Sequence, residues 1–136
     1  MKETDILCPP EEQRRQLLLL NREQIEYAYE KAVSKGVDDP VVLVLDLRDE
    51  RAVYLALRAG LSMDFIDAWR EKCYANGVVP TQIFSAPRWA AILTIGPLTP
   101  KSTFGISKPN PPNTFRVAAI SAGGNVFADF PMPTDQ

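Results

Sequence analysis

Histidine does not occur anywhere in the 136 residues, and its absence excludes a good deal of chemistry. Without an imidazole there is no Ser-His-Asp triad, no Cys-His pair and no histidine ligand for zinc. The commonest general acid and base near neutral pH is missing as well. Cysteine is scarce: Cys8 and Cys73 lie far apart and outside any CxxC pattern, so neither a metal knuckle nor a disulfide framework is expected. Cys73 shares a helical stripe with Ile66 and Trp69 and reads as a buried thiol, whereas Cys8, beside two prolines, reads as exposed.

Long hydrophobic runs are also lacking. No apolar stretch approaches the ~20 residues that span a bilayer, and the start, MKETDILCPPEEQRR, is polar and acidic, unlike a secretory signal. The expected setting is the cytoplasm, with no membrane partner. Basic clusters are missing too. Met1 to Asn76 holds 11 Lys/Arg against 15 Asp/Glu, Gly77 to Gln136 holds 4 against 2, and Arg88, Lys101, Lys108 and Arg116 are scattered. Nucleic acid is therefore not an expected partner. Gly123-Gly124 is neither a P-loop nor a dinucleotide fingerprint.

What is present is an ordinary globular composition, 46% hydrophobic and 24% charged, in a chain long enough for one domain, 1–136, with its own core. The organising stretch is Val41 to Gly60, VVLVLDLRDERAVYLALRAG. Its first half, Val41 to Leu47, is too continuously aliphatic for a half-exposed strand and predicts one covered on both faces. Asp49 is then placed to cap a helix with Val53, Ala56 and Leu57 facing inward, ending at Gly60. Ser62 caps a further helix carrying Phe65, Ile66, Trp69 and Cys73, closed by Asn76-Gly77.

Upstream, residues 1–10 form an arm. Glu11 and Glu12 suit a helix start after Pro9-Pro10, while Asn21 and Gln24 have capping-box spacing that predicts a new helix from Arg22 to Gly36, with Ile25, Ala28, Tyr29, Ala32 and Val33 on one face. Downstream of Gly77 come nine of the twelve prolines. Short strands are expected at Gln82 to Phe84, Trp89 to Ile95, Phe115 to Ser121 and Asn125 to Phe130, the last two joined as a hairpin at Gly123-Gly124. Residues 97–114 form a long Pro-rich loop. The helix-strand order does not alternate as a doubly wound sheet requires. The expected fold is α+β: three helices on one face of a small, mostly antiparallel sheet of four or five strands.

The sharpest chemical cluster is Asp46, Arg48, Asp49 and Glu50 at the end of the central strand. The carboxylates could hold Mg²⁺ or Mn²⁺ or serve as catalytic groups in an enzyme or ligand-binding domain, with Arg48 steering an anionic substrate. The DxD spacing of aspartate-nucleophile phosphatases is absent. The structural alternative, which the residue types favour, is that Asp49 caps a helix, Glu50 complements its dipole and Asp46 pairs with Arg48 or Arg51. A Ser-Lys pair from Ser102 with Lys101 or Lys108 carries little weight, and a pocket for an apolar small molecule is a third reading. Trp69 and Trp89 read first as core, with Arg88 and Trp89 as alternative interface anchors. Leu17, Leu18, Leu19 and Leu20 cover more than one helix face, so Leu17, Leu19 and Leu20, with Tyr27 and the loop residue Phe104, are candidate contacts to another protein or a second copy. The preferred reading is a small non-enzymatic binding protein, such as an adaptor, an inhibitor or immunity-type partner, or an assembly component, using no cofactor.

Overall fold

A computed structural model describes residues 18–19, 21–95, 111–121 and 124–133. Its complete elements are α1 (Arg22–Ser34), β1 (Pro40–Asp46), α2 (Glu50–Arg58), α3 (Met63–Ala75), β2 (Thr81–Pro87), α4 (Arg88–Ile95), β3 (Thr114–Ser121) and β4 (Gly124–Pro131). The strands form one sheet in the order β2-β1-β3-β4. β1 and β3 are parallel, whereas β2 against β1 and β4 against β3 are antiparallel.

All seven residues of β1 are buried, and the pleat sends them alternately to opposite sides. Val41, Leu43 and Leu45, with Leu47 beyond the strand, pack with Ala52, Leu55 and Ala56 of α2, Ile66 of α3 and Ala91 of α4. Val42 and Val44 pack on the opposite face with Leu18, Ile25 of α1, Phe115, Val117, Ala119 and Phe130. The fold is thus α+β, as expected, but in finer detail it differs. The sheet is mixed rather than mostly antiparallel, and among the described residues four complete helices are divided between its two faces rather than three lying on one. The reason is the aliphatic run itself: a strand with no polar face needs a helical layer on each side. On the α1 side Phe115 stacks on Tyr29 with ring centroids 4.2 Å apart and lies 5.9 Å from Phe130. Burial, and secondarily the Asp39 carboxylate, pushes the Tyr29 hydroxyl above its ordinary pKa.

Helix boundaries follow local chemistry. Gly36 sits at φ +84°, which only glycine adopts without strain, and lets Val37 N–H reach back to Ala32 O at 3.0 Å. The same backward bond recurs from Leu61 to Ala56 and from Val78 to Cys73, so three helices end in a Schellman-type closure. Ser62 caps α3 by accepting from Phe65 N–H at 3.1 Å. Asn21 holds the cap position of α1 without the side-chain cap bond that its capping-box spacing predicts.

The largest departure is Trp89 to Ile95, expected as a strand and found as α4. Pro87 closes β2, and the following Ala90-Ala91 pair favours helix; an apolar run this short does not distinguish helix from strand by period. Trp89 consequently stands 66% exposed instead of in the core. Leu57, Phe65 and Val33, expected inward, are exposed, because α2 buries Ala52, Leu55 and Ala56, α3 buries Ile66 and Cys73, and α1 buries Ile25 and Ala32. β3 and β4 pair antiparallel as expected, but Gly124 begins β4 opposite Ser121 instead of lying in the turn, and Gly123 lies outside the described residues. The arm 1–10, Cys8, Leu17, Leu20, Phe104 and the 97–110 part of the Pro-rich loop lie outside the described residues.

Phe115→Ala removes the ring that joins α1, β3 and β4, and is expected to destabilise the fold by about 3–5 kcal/mol. Urea denaturation followed by circular dichroism measures this.

Candidate functional site

Because β1 and β3 run parallel, with Leu45 opposite Ile120, their carboxyl ends bring Asp46 beside Ser121. Asp46 is 1% exposed and its two oxygens accept four hydrogen bonds. Arg48 N–H and Arg48 Nε each donate to Oδ1 at 3.0 Å, Arg48 Nη2 to Oδ2 at 2.7 Å, and Ser121 Oγ to Oδ2 at 3.1 Å. That is about the full lone-pair capacity of an ionised carboxylate. The buried charge is thereby balanced, although half of the Arg48 side chain remains in solvent.

The same geometry repeats three residues on. Asp49 caps α2, its Oδ1 accepting from Arg51 N–H at 2.8 Å and Arg51 Nε at 3.2 Å, and its Oδ2 from Arg51 Nη2 at 2.9 Å. Arg51 Nη2 also donates to Ser121 O at 2.6 Å. The hexapeptide Asp46 to Arg51 is therefore two consecutive Asp-x-Arg clamps that tie the ends of β1 and β3 to the start of α2. The side-chain bond from Arg51 is the main cause holding the Asp49 carboxyl below its ordinary pKa, against the opposing effect of burial, and the same bond raises that of Arg51. Glu50 is exposed in the first turn of α2. Among the described residues no group of three His, Cys, Asp or Glu side chains is arranged to hold a metal ion.

The residues expected to contact a partner are dispersed. Leu18 enters the core while Leu19 is 63% exposed, and Tyr27 is 64% exposed on α1. Arg88, beside the exposed Trp89, bonds the Asp39 carboxylate at 3.3 Å. Of these, Tyr27 lines an open groove of about 780 Å³ that runs along β2, one of the two outer strands of the sheet, with Gln24 and Lys31 from α1, Trp69 from α3, and Ile83 and Ser85 from β2. Reading the sequence missed this groove. Gln82 to Phe84 was legible as a strand, but its place at the edge depends on strand order, for which there is no local signal.

Comparison with protein-family models, with curated proteins and with solved structures returns no match. The functional reading rests on the geometry of the chain itself.

Asp49→Asn keeps a good cap acceptor but removes the charge facing Arg51. A depressed carboxyl pKa contributes stability that is complete above the unfolded-state value of about 3.9 and is lost as pH falls through the folded-state value. The variant is expected to be about 1 kcal/mol less stable than the parent at pH 7. The difference should close as pH falls below about 4, as thermal denaturation across a pH series will register.

Proposed function

We propose that this chain is a small, non-enzymatic cytoplasmic protein that works by binding another protein on the side where α1 flanks β2. The observation that carries this reading is the groove beside the outer strand, rimmed by the exposed ring of Tyr27. Exposed aromatic side chains beside a concave surface have the composition of interface anchors. The exposed indole of Trp89 on the following helix supplies a second candidate anchor. Supporting this, the Asp46 and Asp49 oxygens that an ion or a proton-transfer step would need are occupied by Arg48, Arg51 and Ser121. In the described residues no helix is long and apolar enough to cross a membrane.

Two measurements test the reading. With the full chain as bait in native lysate, a specific partner should be retained, and Tyr27→Ala should weaken its binding by about 30-fold while leaving the melting temperature nearly unchanged. A strictly monomeric chain that retains nothing, or a partner indifferent to both Tyr27→Ala and Trp89→Ala, overturns it. Titration with Mg²⁺ or Mn²⁺ is expected to leave the melting temperature unchanged; a rise abolished by Asp46→Asn would instead support a metal-dependent enzyme.

A further inference from the structure

The phase of the β1–β2 ladder shows which backbone groups line the groove. In an antiparallel pair, alternate residues direct both N–H and C=O at the neighbouring strand, and those between direct both away. Leu47 N–H donates to Pro80 O at 2.9 Å and Arg88 N–H to Asp39 O at 3.2 Å. With the register Asp46↔Thr81 to Pro40↔Pro87, these bonds place Gln82, Phe84 and Ala86 in the rows that bond β1. Thr81, Ile83, Ser85 and Pro87 therefore turn their backbone groups outward. The indole of Trp69 corroborates this by donating to Thr81 O at 3.2 Å from the outer side. Trp69 closes one end of the edge, and Pro87, which has no N–H, closes the other. Between them the N–H and C=O groups of Ile83 and Ser85 face the groove, with no partner strand among the described residues.

The groove also has a sign. Among the described residues its only ionised lining side chains are Lys31 and Lys35, with no Asp or Glu beside them, in a chain whose net charge is -2. Lys72 lies over the Trp69 ring at 5.9 Å on the other flank. We propose that the β2 edge takes up an extended, acidic peptide segment of a partner protein as a fifth strand, bonded to the backbone of Ile83 and Ser85 and held by Lys31 and Lys35. This deepens the protein-binding reading and rests on it. Main-chain bonding supplies the general affinity in this mode of recognition, and flanking side chains supply the selectivity. A second copy is the poorer occupant, because antiparallel pairing of two β2 edges would bring both pairs of lysines together.

The test pans a displayed library of random linear peptides on the full chain and measures the selected peptides in solution. Enriched peptides should be net acidic, and their binding should weaken with added salt. Binding should protect the Ile83 and Ser85 amides from hydrogen exchange, while those of Gln82 and Phe84 are already protected in the free chain. Ser85→Pro deletes an outward N–H without removing a β1 bond and should weaken binding about tenfold or more. Lys31→Glu on the surface of α1, with Lys35→Glu at its exposed C-cap, should do the same and supplies the test if the proline variant fails to fold.

Selected peptides that are neutral or basic, equal binding by folded Ser85→Pro, or unchanged exchange at Ile83 and Ser85 would each overturn the proposal. So would a concentration-dependent dimer that Ser85→Pro converts to monomer, which would assign the edge to a second copy. A lysate partner lost on Tyr27→Ala but indifferent to Ser85→Pro would remove the added strand and leave protein binding standing.

Discussion

Burial of β1 on both faces is the constraint from which the rest of the architecture follows. Seven buried residues in succession leave no polar side to face water, so the sheet needs a helical layer above and below. Chain order then decides the layers: α1 precedes β1 and covers the Val42/Val44 face, while α2, α3 and α4 follow and cover the Leu43/Leu45 face. β2 returns antiparallel along one flank of β1, and β3 takes the other. With helices on both faces and, among the described residues, none across its outer side, β2 becomes the floor of a groove lined by α1 and by Trp69 of α3. The buried central strand and the open groove thus have the same cause.

The charged residues at the end of β1 answer a second demand. A carboxylate as buried as Asp46 is costly unless every lone pair is met, and two successive Asp-x-Arg clamps with Ser121 meet that demand without outside help. Arg51 bridges the Asp49 cap to the Ser121 carbonyl, so the start of α2 is held to the ends of two parallel strands. A cross-strand ion pair, the buried Arg116 with Asp129 opposite it at 2.6 Å, ties β4 to β3. In both places the charges hold secondary-structure elements together.

The parts of this fold legible in the sequence are those set by neighbours along the chain. The aliphatic run marks β1, Asp49 and Ser62 mark two helix starts, and three glycines mark three helix ends, because capping and left-handed closure act within a few residues. That Asp46 pairs with Arg48 or Arg51 was legible for the same reason, and the partner found is Arg48, at a separation of two. Trp89 to Ile95 differs from the expected strand because so short an apolar run has no decisive period, and the outcome is set by Pro87 ending β2, by the helix-favouring Ala90-Ala91 pair and by the packing of Ala91 in the core. Which helix covers which face, the parallel β1–β3 pair and the β2 groove were not legible. They depend on strand order, which is a balance of contacts between residues tens of positions apart. The contribution of Ser121 to the Asp46 site is of this kind, since it comes from 75 positions away.

The two outer strands of the sheet are not equivalent, and the difference bears on which could accept another strand. On β4, the bond from Met132 N–H to Asn113 O and the Thr114↔Pro131 register put Asn125, Phe127, Asp129 and Pro131 in the outward rows. Proline lacks a donor and Asp129 brings a carboxylate to that edge, devices that blunt a sheet edge against added strands. On β2 the corresponding obstructions, Trp69 over Thr81 and Pro87, stand only at the ends, and the middle opens into a cationic groove. Uniform protection would have served solubility alone. The β2 edge, obstructed only at its ends, leaves a gap of fixed register, flanked by lysines that penalise a like-charged strand and favour an acidic one.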